Sequence, residues 1–203
     1  PKELTAIFQR WLDLILQHEK NILCISEAVA DEVICYYKKC KYKREEPLNL
    51  YYFHLGFDIS QCVSQVRDEL KKFVNNGRTF LMVGTVEVRK NHYLILQVLK
   101  NILARYPDID FQLLILGRDG WKNEEFKNML ANDYNLAQHV LWIKDASDAE
   151  LQWAYQHAEA LIFPSMAEGF GLPLVEAAYF GLPILCSDIP VFREVAEDGA
   201  TYF

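Results

Sequence analysis

The sequence predicts an α/β fold, a Rossmann-like doubly wound parallel sheet, and three observations carry that expectation. From about residue 58 onward, short apolar runs alternate with helical stretches, the rhythm of successive strand–helix–strand units. Several of those runs end in loops that hold glycine beside charged residues just ahead of a helix, where open α/β sheets bind their ligands. The composition is that of a globular chain able to bury a core, with 203 residues, 51% hydrophobic and 24% charged.

The chain divides into a front part, 1–57, and the alternating domain, 58–203. In the front part Leu4, Ile7, Phe8, Trp11, Leu12, Ile15 and Leu16 recur at steps of three and four. That spacing predicts an amphipathic helix over 3–18 with a packing face, membrane attachment being the alternative. Asn21 to Ile25 reads as a short strand, and Ser26 can cap a helix running to about Lys39. Lys38 to Arg44 carries five basic residues in seven, followed by Glu45 and Glu46. It reads as a solvated loop, with attraction to anionic lipid headgroups as the sharper alternative. Leu48 to Phe53 is a second strand.

In the alternating domain the expected order is a helix at about 60–74, a strand at 79–83 and a helix at 91–105. A strand at 110–116, a helix near 122–134 and a strand at 139–143 follow. Next come a helix at 148–157, whose Ser147 and Glu150 have capping-box spacing, and a strand at 159–163. A helix at 172–180, a strand at 183–186, a short helix after Pro190 and a strand near Tyr202 complete the pattern.

The net charge of −7 argues against nucleic acid as a partner, which wants a basic face. No apolar run approaches the ~20 residues of a membrane span, and no signal peptide is visible. The chain opens at Pro1 with no initiator Met and is read as an excerpt of a longer protein, truncated at its C-terminus too. Cys24, Cys35, Cys40, Cys62 and Cys186 show neither a CxxC pair nor a metal-ligand rhythm. Free thiols, no metal site and a reducing, cytoplasmic setting are expected.

Three crossovers carry candidate chemistry. Gly84 ends a strand, and Arg89 and Lys90 fall just ahead of the next helix, so they can meet a phosphate or diphosphate. Gly117-Arg118-Asp119-Gly120 follows another strand, where a plain turn is at least as good a reading. The third, Glu168-Gly169-Phe170-Gly171, leads into a helix whose free N–H groups suit an anion. Leu174 stands where a dinucleotide fingerprint needs its third glycine, and the motif lies outside the first strand–helix unit, so NAD is disfavoured. There is no Walker A sequence. Glu168 and Glu176 bracket the loop with seven residues between them. A diphosphate at the helix start would repel a touching carboxylate, which assigns Glu168 to neutral sugar hydroxyls and Glu176 to a ribose.

Together these residues resemble the retaining nucleotide-sugar glycosyltransferases of the GT-B fold, family four of the glycosyl transferases group 1. Glu168 to Glu176 match the E-x7-E signature, flanked by Leu161-Ile162-Phe163-Pro164-Ser165 and Gly181-Leu182-Pro183. Val83-Gly84-Thr85-Val86-Glu87-Val88-Arg89-Lys90-Asn91 resembles the V-G-T-x-E-P-R-K-N variant of bacterial mannosyltransferases of polysaccharide assembly. Ser147-Asp148-Ala149-Glu150-Leu151 is similar to the start of the helix after the base-contacting loop. Cys24-Ile25-Ser26-Glu27 and Gly56-Phe57-Asp58 look like the markers that close the N-terminal acceptor domain and open the linker. Thr85 departs from the pattern, since many relatives carry arginine directly after the first glycine, and Val88 replaces a proline.

The resemblance implies the C-terminal, donor-binding half of a GT-B fold preceded by the tail of an acceptor domain. It implies that Arg89 and Lys90 hold the donor diphosphate beside Gly84 and Thr85, and that Gly169, Phe170, Gly171 and Leu172 present backbone N–H groups to phosphate and sugar. Glu168 would contact the transferred sugar, Glu176 the ribose, and backbone around Ile143 and Lys144 the nucleobase. The implied activity is metal-independent retaining mannosyl transfer from GDP-mannose to a polysaccharide or glycolipid, with no cofactor besides the nucleotide-sugar. A UDP-sugar donor, an epimerase of the same fold and a non-catalytic nucleotide-sugar module are the alternatives. Peripheral contact with the inner face of the membrane would come through the missing N-terminal domain, and this piece alone is expected to transfer nothing.

Overall fold

The computed structural model describes residues 2–40, 42–58 and 65–203, and the chain falls into two units, Pro1–Gly56 and Phe57–Phe203. The first unit holds helix α1 (Lys2–His18), strand β1 (Asn21–Cys24), helix α2 (Glu27–Cys40) and strand β2 (Asn49–Tyr52). β1 and β2 pair in parallel, so α2 is their crossover. Ser26 accepts from the Val29 N–H at 3.2 Å, the capping bond expected from its position. The α1 stripe is only half a packing face: Leu16 is buried and Leu12 and Ile15 are half-buried, whereas Ile7, Phe8 and Trp11 are exposed. Arg44, from the basic run, donates to the carbonyls of Leu16 and Glu19 at the end of α1, where a cation complements the helix dipole. That use of Arg44 is structural.

The second unit opens with helix α3 (Asp68–Asn75), shorter than expected. Residues 59–64, with Cys62, lie outside the described residues, and Arg67 is extended (φ −62°, ψ 143°) because its backbone and side chain both bind Glu150. Strand β3 (Arg78–Val83) leads through a 3-10 turn at Val88–Lys90 into helix α4 (His92–Arg105). Strand β4 (Phe111–Leu116) leads into α5 (Glu124–Asn132) and α6 (Tyr134–Gln138), two helices where one was expected. Asp133 makes the break: it is extended, and its carboxylate caps α6 by accepting from the Leu136 N–H at 3.1 Å. Strand β5 (Val140–Ile143), helix α7 (Asp148–His157), strand β6 (Ala160–Phe163) and helix α8 (Leu172–Tyr179) follow. Strand β7 (Ile184–Cys186), helix α9 (Pro190–Ala196) and strand β8 (Thr201–Tyr202) close the chain.

These six strands form one parallel sheet in the order β5-β4-β3-β6-β7-β8, a doubly wound Rossmann-type order. Strand β4 is buried almost throughout, which is why it reads as an unbroken apolar run rather than an alternation. Met82, Leu113 and Ile115 pack with Leu96, Leu99, Leu103, Phe126 and Leu136 of the helices α4 to α6. Burying each such Leu or Phe side chain is worth ~1.5–3 kcal/mol, so this layer fixes where β3 and β4 end. Among the described residues no helix is long and apolar enough to cross a membrane.

Candidate active site

The sheet opens a crevice where its strand order reverses. β3 pairs with β4 along its whole length, Arg78 to Val83 against Phe111 to Leu116. With β6 the register covers only Phe80 and Leu81, against Ala160 and Leu161, although β3 runs on to Val83 and β6 to Phe163. The loops after β3 and β6 therefore leave from strands that have already parted. Ligands of open α/β sheets bind at such switch points.

The loop after β3 is braced from the next crossover. The β3–β4 register continues past the strand ends, from Val83 beside Leu116 to a bridge between Val86 and Asp119. The Val86 N–H donates to the Arg118 carbonyl at 2.9 Å, and the Asn123 side chain donates to the Val86 carbonyl at 2.8 Å. Gly117 is needed by close approach, since a Cβ there would stand 1.9 Å from the Gly84 carbonyl oxygen. The segment 117–123 is thus the buttress of the 84–91 loop rather than a plain turn. Asn91 then takes a left-handed conformation (φ 56°), which asparagine tolerates better than most residues, and swings the chain from the 3-10 turn into α4.

Arg89, Lys90 and Glu168 come together across the crevice. Lys90 Nζ lies 2.6 Å from Glu168 Oε1, and Arg89 Nη1 lies 2.7 Å from Glu168 Oε2. Arg89 also donates to the Ala167 carbonyl at 2.6 Å, and the Met166 N–H donates to the Arg89 carbonyl at 2.9 Å. The Lys90 ammonium sits 4.6 Å from the centre of the Phe163 ring, a cation–π position. Burial works to raise the Glu168 carboxyl, and Lys90, Ser165 and Arg89 overcome it, so the group is held below the ordinary carboxylate range. The site therefore keeps Glu168 ionised between Arg89 and Lys90 in a partly dry place.

Arg89 is itself oriented by a residue that sequence reasoning left without a role. Glu87 Oε1 accepts from Arg89 Nη2 at 2.8 Å, while Glu87 Oε2 accepts from the Trp121 indole N–H at 2.8 Å. Glu87 lies inside the recognised motif, but nothing in its spacing announces a partner in the next crossover. His92 is also buried there, with its ring edge-on to Phe126 at 6.0 Å. Burial, helped by Lys90, lowers its pKa to about 4, so it is a neutral packing group near pH 7.

The loop after β6 ends at Gly171, which caps α8 with φ 103°, a left-handed value that glycine takes freely. A Cβ there would also stand 3.0 Å from the Phe192 ring. Phe170 is buried, Leu172 opens α8 and Pro173 follows at a position that needs no intrahelical donor. The positive end of the α8 dipole therefore starts at the glycine loop. Glu176, one turn on, is held by a group missed from sequence: the buried Tyr155 hydroxyl donates to Glu176 Oε2 at 2.6 Å.

Two hollows run along this edge. A cleft of about 600 Å³ is lined by Gly84, Thr85, Gly117, Arg118, Lys144, Asp145 and Asp148 among others. A smaller cavity of about 170 Å³ is lined by Phe57, Asp58, Asp148, Leu151, Gln152, Tyr155 and Glu176. Asp148 and Leu151 line both, so the hollows adjoin. Ile143 lies within β5 and its carbonyl already accepts from the Gly117 N–H at 3.0 Å, so backbone beyond the ladder starts at Lys144. The Lys144 ammonium is 3.3 Å from Asp119 and lies over the Trp142 ring. Arg67 and Glu150, another pair missed from sequence, lock the start of α7 beside the cleft: Nε to Oε1 is 2.5 Å, and the Ser147–Glu150 capping box is present.

Residues 66–203 match the family model described as glycosyl transferases group 1. The chain belongs to that family. Among its relatives, the serotype-specific mannosyltransferase WbdA of Escherichia coli is 34% identical over 203 residues, 97% of this chain and 25% of that protein. The O-antigen chain mannosyltransferase RfbU of Salmonella typhimurium (strain LT2) is 44% identical over 123 residues, 61% of this chain and 33% of that protein. The chain thus spans a quarter to a third of the length of these two relatives. The fold of this family member is shared with Anabaena HepE, solved in complex with UDP and glucose, at a TM-score of 0.67 and 17% identity over 95% of this chain and 51% of that one.

Proposed function

We propose that the chain is the donor-binding half of a retaining glycosyltransferase, moving mannose from GDP-mannose to a polysaccharide or glycolipid acceptor in cell-surface glycan assembly. The observation that carries this reading is the cluster of Arg89, Lys90 and Glu168 at the switch point, with Glu168 in the loop that leads into α8. A nucleoside diphosphate leaving group gains negative charge as the glycosidic bond breaks. Once Glu168 gives them up, Arg89 and Lys90, with a helix N-terminus, stabilise that charge, usually the largest single contribution an enzyme site makes. Glu168 then turns to the hydroxyls of the transferred sugar, and Glu176, held by Tyr155, accepts from the ribose. The acceptor hydroxyl attacks on the face from which the diphosphate departs, and a donor phosphate oxygen takes its proton. Configuration is retained in this scheme.

Mannose is supported by the names of the relatives, WbdA and RfbU being mannosyltransferases. A UDP-sugar is the second reading, favoured by the UDP and glucose in the HepE structure. Calorimetric titration with GDP-mannose, GDP, UDP-glucose and UDP-N-acetylglucosamine separates them. GDP and GDP-mannose should bind and the UDP-sugars should not; the reverse order replaces mannose transfer by UDP-sugar transfer. Binding of none of the four removes the donor site altogether. The 203-residue chain should bind nucleotide weakly and transfer nothing on its own, and sugar transfer by it would overturn the two-domain reading.

A further inference from the structure

The positive charges at the crevice are already committed. Arg89 lies on Glu87 and Glu168, and Lys90 lies on Glu168, so two cations face two carboxylates. In the adjoining cleft Lys144 is 3.3 Å from Asp119, and Asp145 is 3.1 Å from Arg67. A diphosphate arriving here meets no surplus positive charge from any of these groups. Arg118 is different. It lines the cleft with Gly84 and Thr85, its side chain is exposed, and among the described residues no carboxylate lies within ion-pair distance of it.

Its position is fixed by the backbone rather than by the side chain. The Arg118 carbonyl accepts from the Val86 N–H, and the β3–β4 register, carried from Val83 and Leu116 to Val86 and Asp119, sets Arg118 alongside Thr85. Asp148, the other charge of the cleft without an ion pair among the described residues, also lines the second cavity, with Glu176. The two hollows are therefore polarised, with Arg118 in the one that holds Gly84 and three carboxylates, Asp58, Asp148 and Glu176, lining the other. A nucleoside diphosphate has the matching polarity: anionic at the phosphates, hydroxyl-bearing and neutral at the ribose.

We propose that Arg118 binds the donor diphosphate, its planar guanidinium donating to oxygens of both phosphates where the cleft borders Gly84 and Thr85. The assignment rests on the nucleotide-sugar reading above and adds a residue from outside its motifs. The test is titration of the chain, wild type and Arg118→Ala, with GDP and with GMP, and with UDP and UMP if uridine nucleotides bind better. Loss of a charge-assisted contact should weaken diphosphate binding by about tenfold or more. The monophosphate should weaken much less, so the preference for diphosphate collapses. Arg118→Lys should recover part of it, keeping charge without the fork. Thermal unfolding should be unchanged, because among the described residues the guanidinium has no ion pair to lose. Diphosphate affinity within about twofold of wild type, equal loss for both nucleotides, or a lowered unfolding temperature would each overturn the assignment. Failure of the wild-type chain to bind any nucleotide would instead remove the functional reading on which it rests.

Discussion

Glu168 closes on Lys90 at 2.6 Å, joining the loop after β6 to the loop after β3 across the point where the strand order reverses. Their side chains are 9% and 12% exposed, so each depends on the other for compensation. An anion that takes over Lys90 would free the carboxylate from this contact to turn elsewhere.

Lys90→Ala should therefore lower turnover of the complete enzyme with GDP-mannose by about 10²–10³-fold, the range seen when one oxyanion donor is removed. It should also destabilise the fold by up to ~3–5 kcal/mol, because Glu168 keeps its burial and loses its nearest cation. Turnover near wild type would take Lys90 out of the site.

Acid should loosen the start of α7 through Glu150. Burial works to raise this carboxyl, and Arg67 with the Ser147 and Arg67 N–H groups overcomes it, holding the pKa at about 2 against an ordinary 4.5. Between those values the unfolded chain takes up a proton that the folded chain refuses, so stability is full above pH 4.5 and falls as pH drops toward 2. Denaturant titrations over this range should show a steeper acid loss in wild type than in Glu150→Gln. Parallel curves would show that Glu150 titrates normally.

Tyr155→Phe keeps the ring, which stacks on Phe180 at 5.7 Å, and deletes the hydroxyl that holds Glu176. Loss of a hydrogen bond to a charged group should cost about 1.5–3 kcal/mol at most, part of it in stability and part in donor affinity. The expected signature is a raised KM for donor with kcat little changed, since a ribose contact is the same before and during transfer. A fall in kcat with KM constant would move Glu176 from binding to chemistry.

Gly117→Ala tests the buttress. A methyl group 1.9 Å from the Gly84 oxygen cannot be accommodated without parting the two crossovers. Destabilisation of ~2 kcal/mol or more is expected, with loss of nucleotide binding even in protein that remains folded at low temperature. An unfolding midpoint like that of wild type would mean the loops separate at no cost.

Much of this was legible in the sequence, and the residues show why the rest was not. The strands β3 to β7 were readable because a parallel sheet buried on both faces leaves continuous apolar runs, as in Leu113-Leu114-Ile115-Leu116. Arg89, Lys90 and Glu168, which the structure brings together, stood out in the sequence because anion chemistry at helix starts narrows the residue types. Asp133 was not, since an aspartate inside a helical pattern serves as readily for a solvated side chain as for a cap. Nor were Trp121 and Tyr155 as partners of Glu87 and Glu176: their bonds join different crossovers, and the sequence holds that relation only through the register of the sheet. The front helix was misjudged for a related reason. Periodicity reports an apolar face, as at Ile7, Phe8 and Trp11, without saying whether anything in the same unit lies against it.

The short pairing of β3 with β6 gives the sheet a mechanical seam. Its register holds only Phe80 and Leu81 against Ala160 and Leu161, with one more backbone bond from the Glu159 N–H to the Thr79 carbonyl, while β3 and β4 are zipped from end to end. Partial opening should begin along that line, separating β5-β4-β3 from β6-β7-β8, and amide exchange should be faster in β6 than in β4. The proposed donor site straddles the same line. A ligand held by Lys90 on one side and the start of α8 on the other would act as a rivet, and its grip would register as slowed exchange on both flanks of the seam.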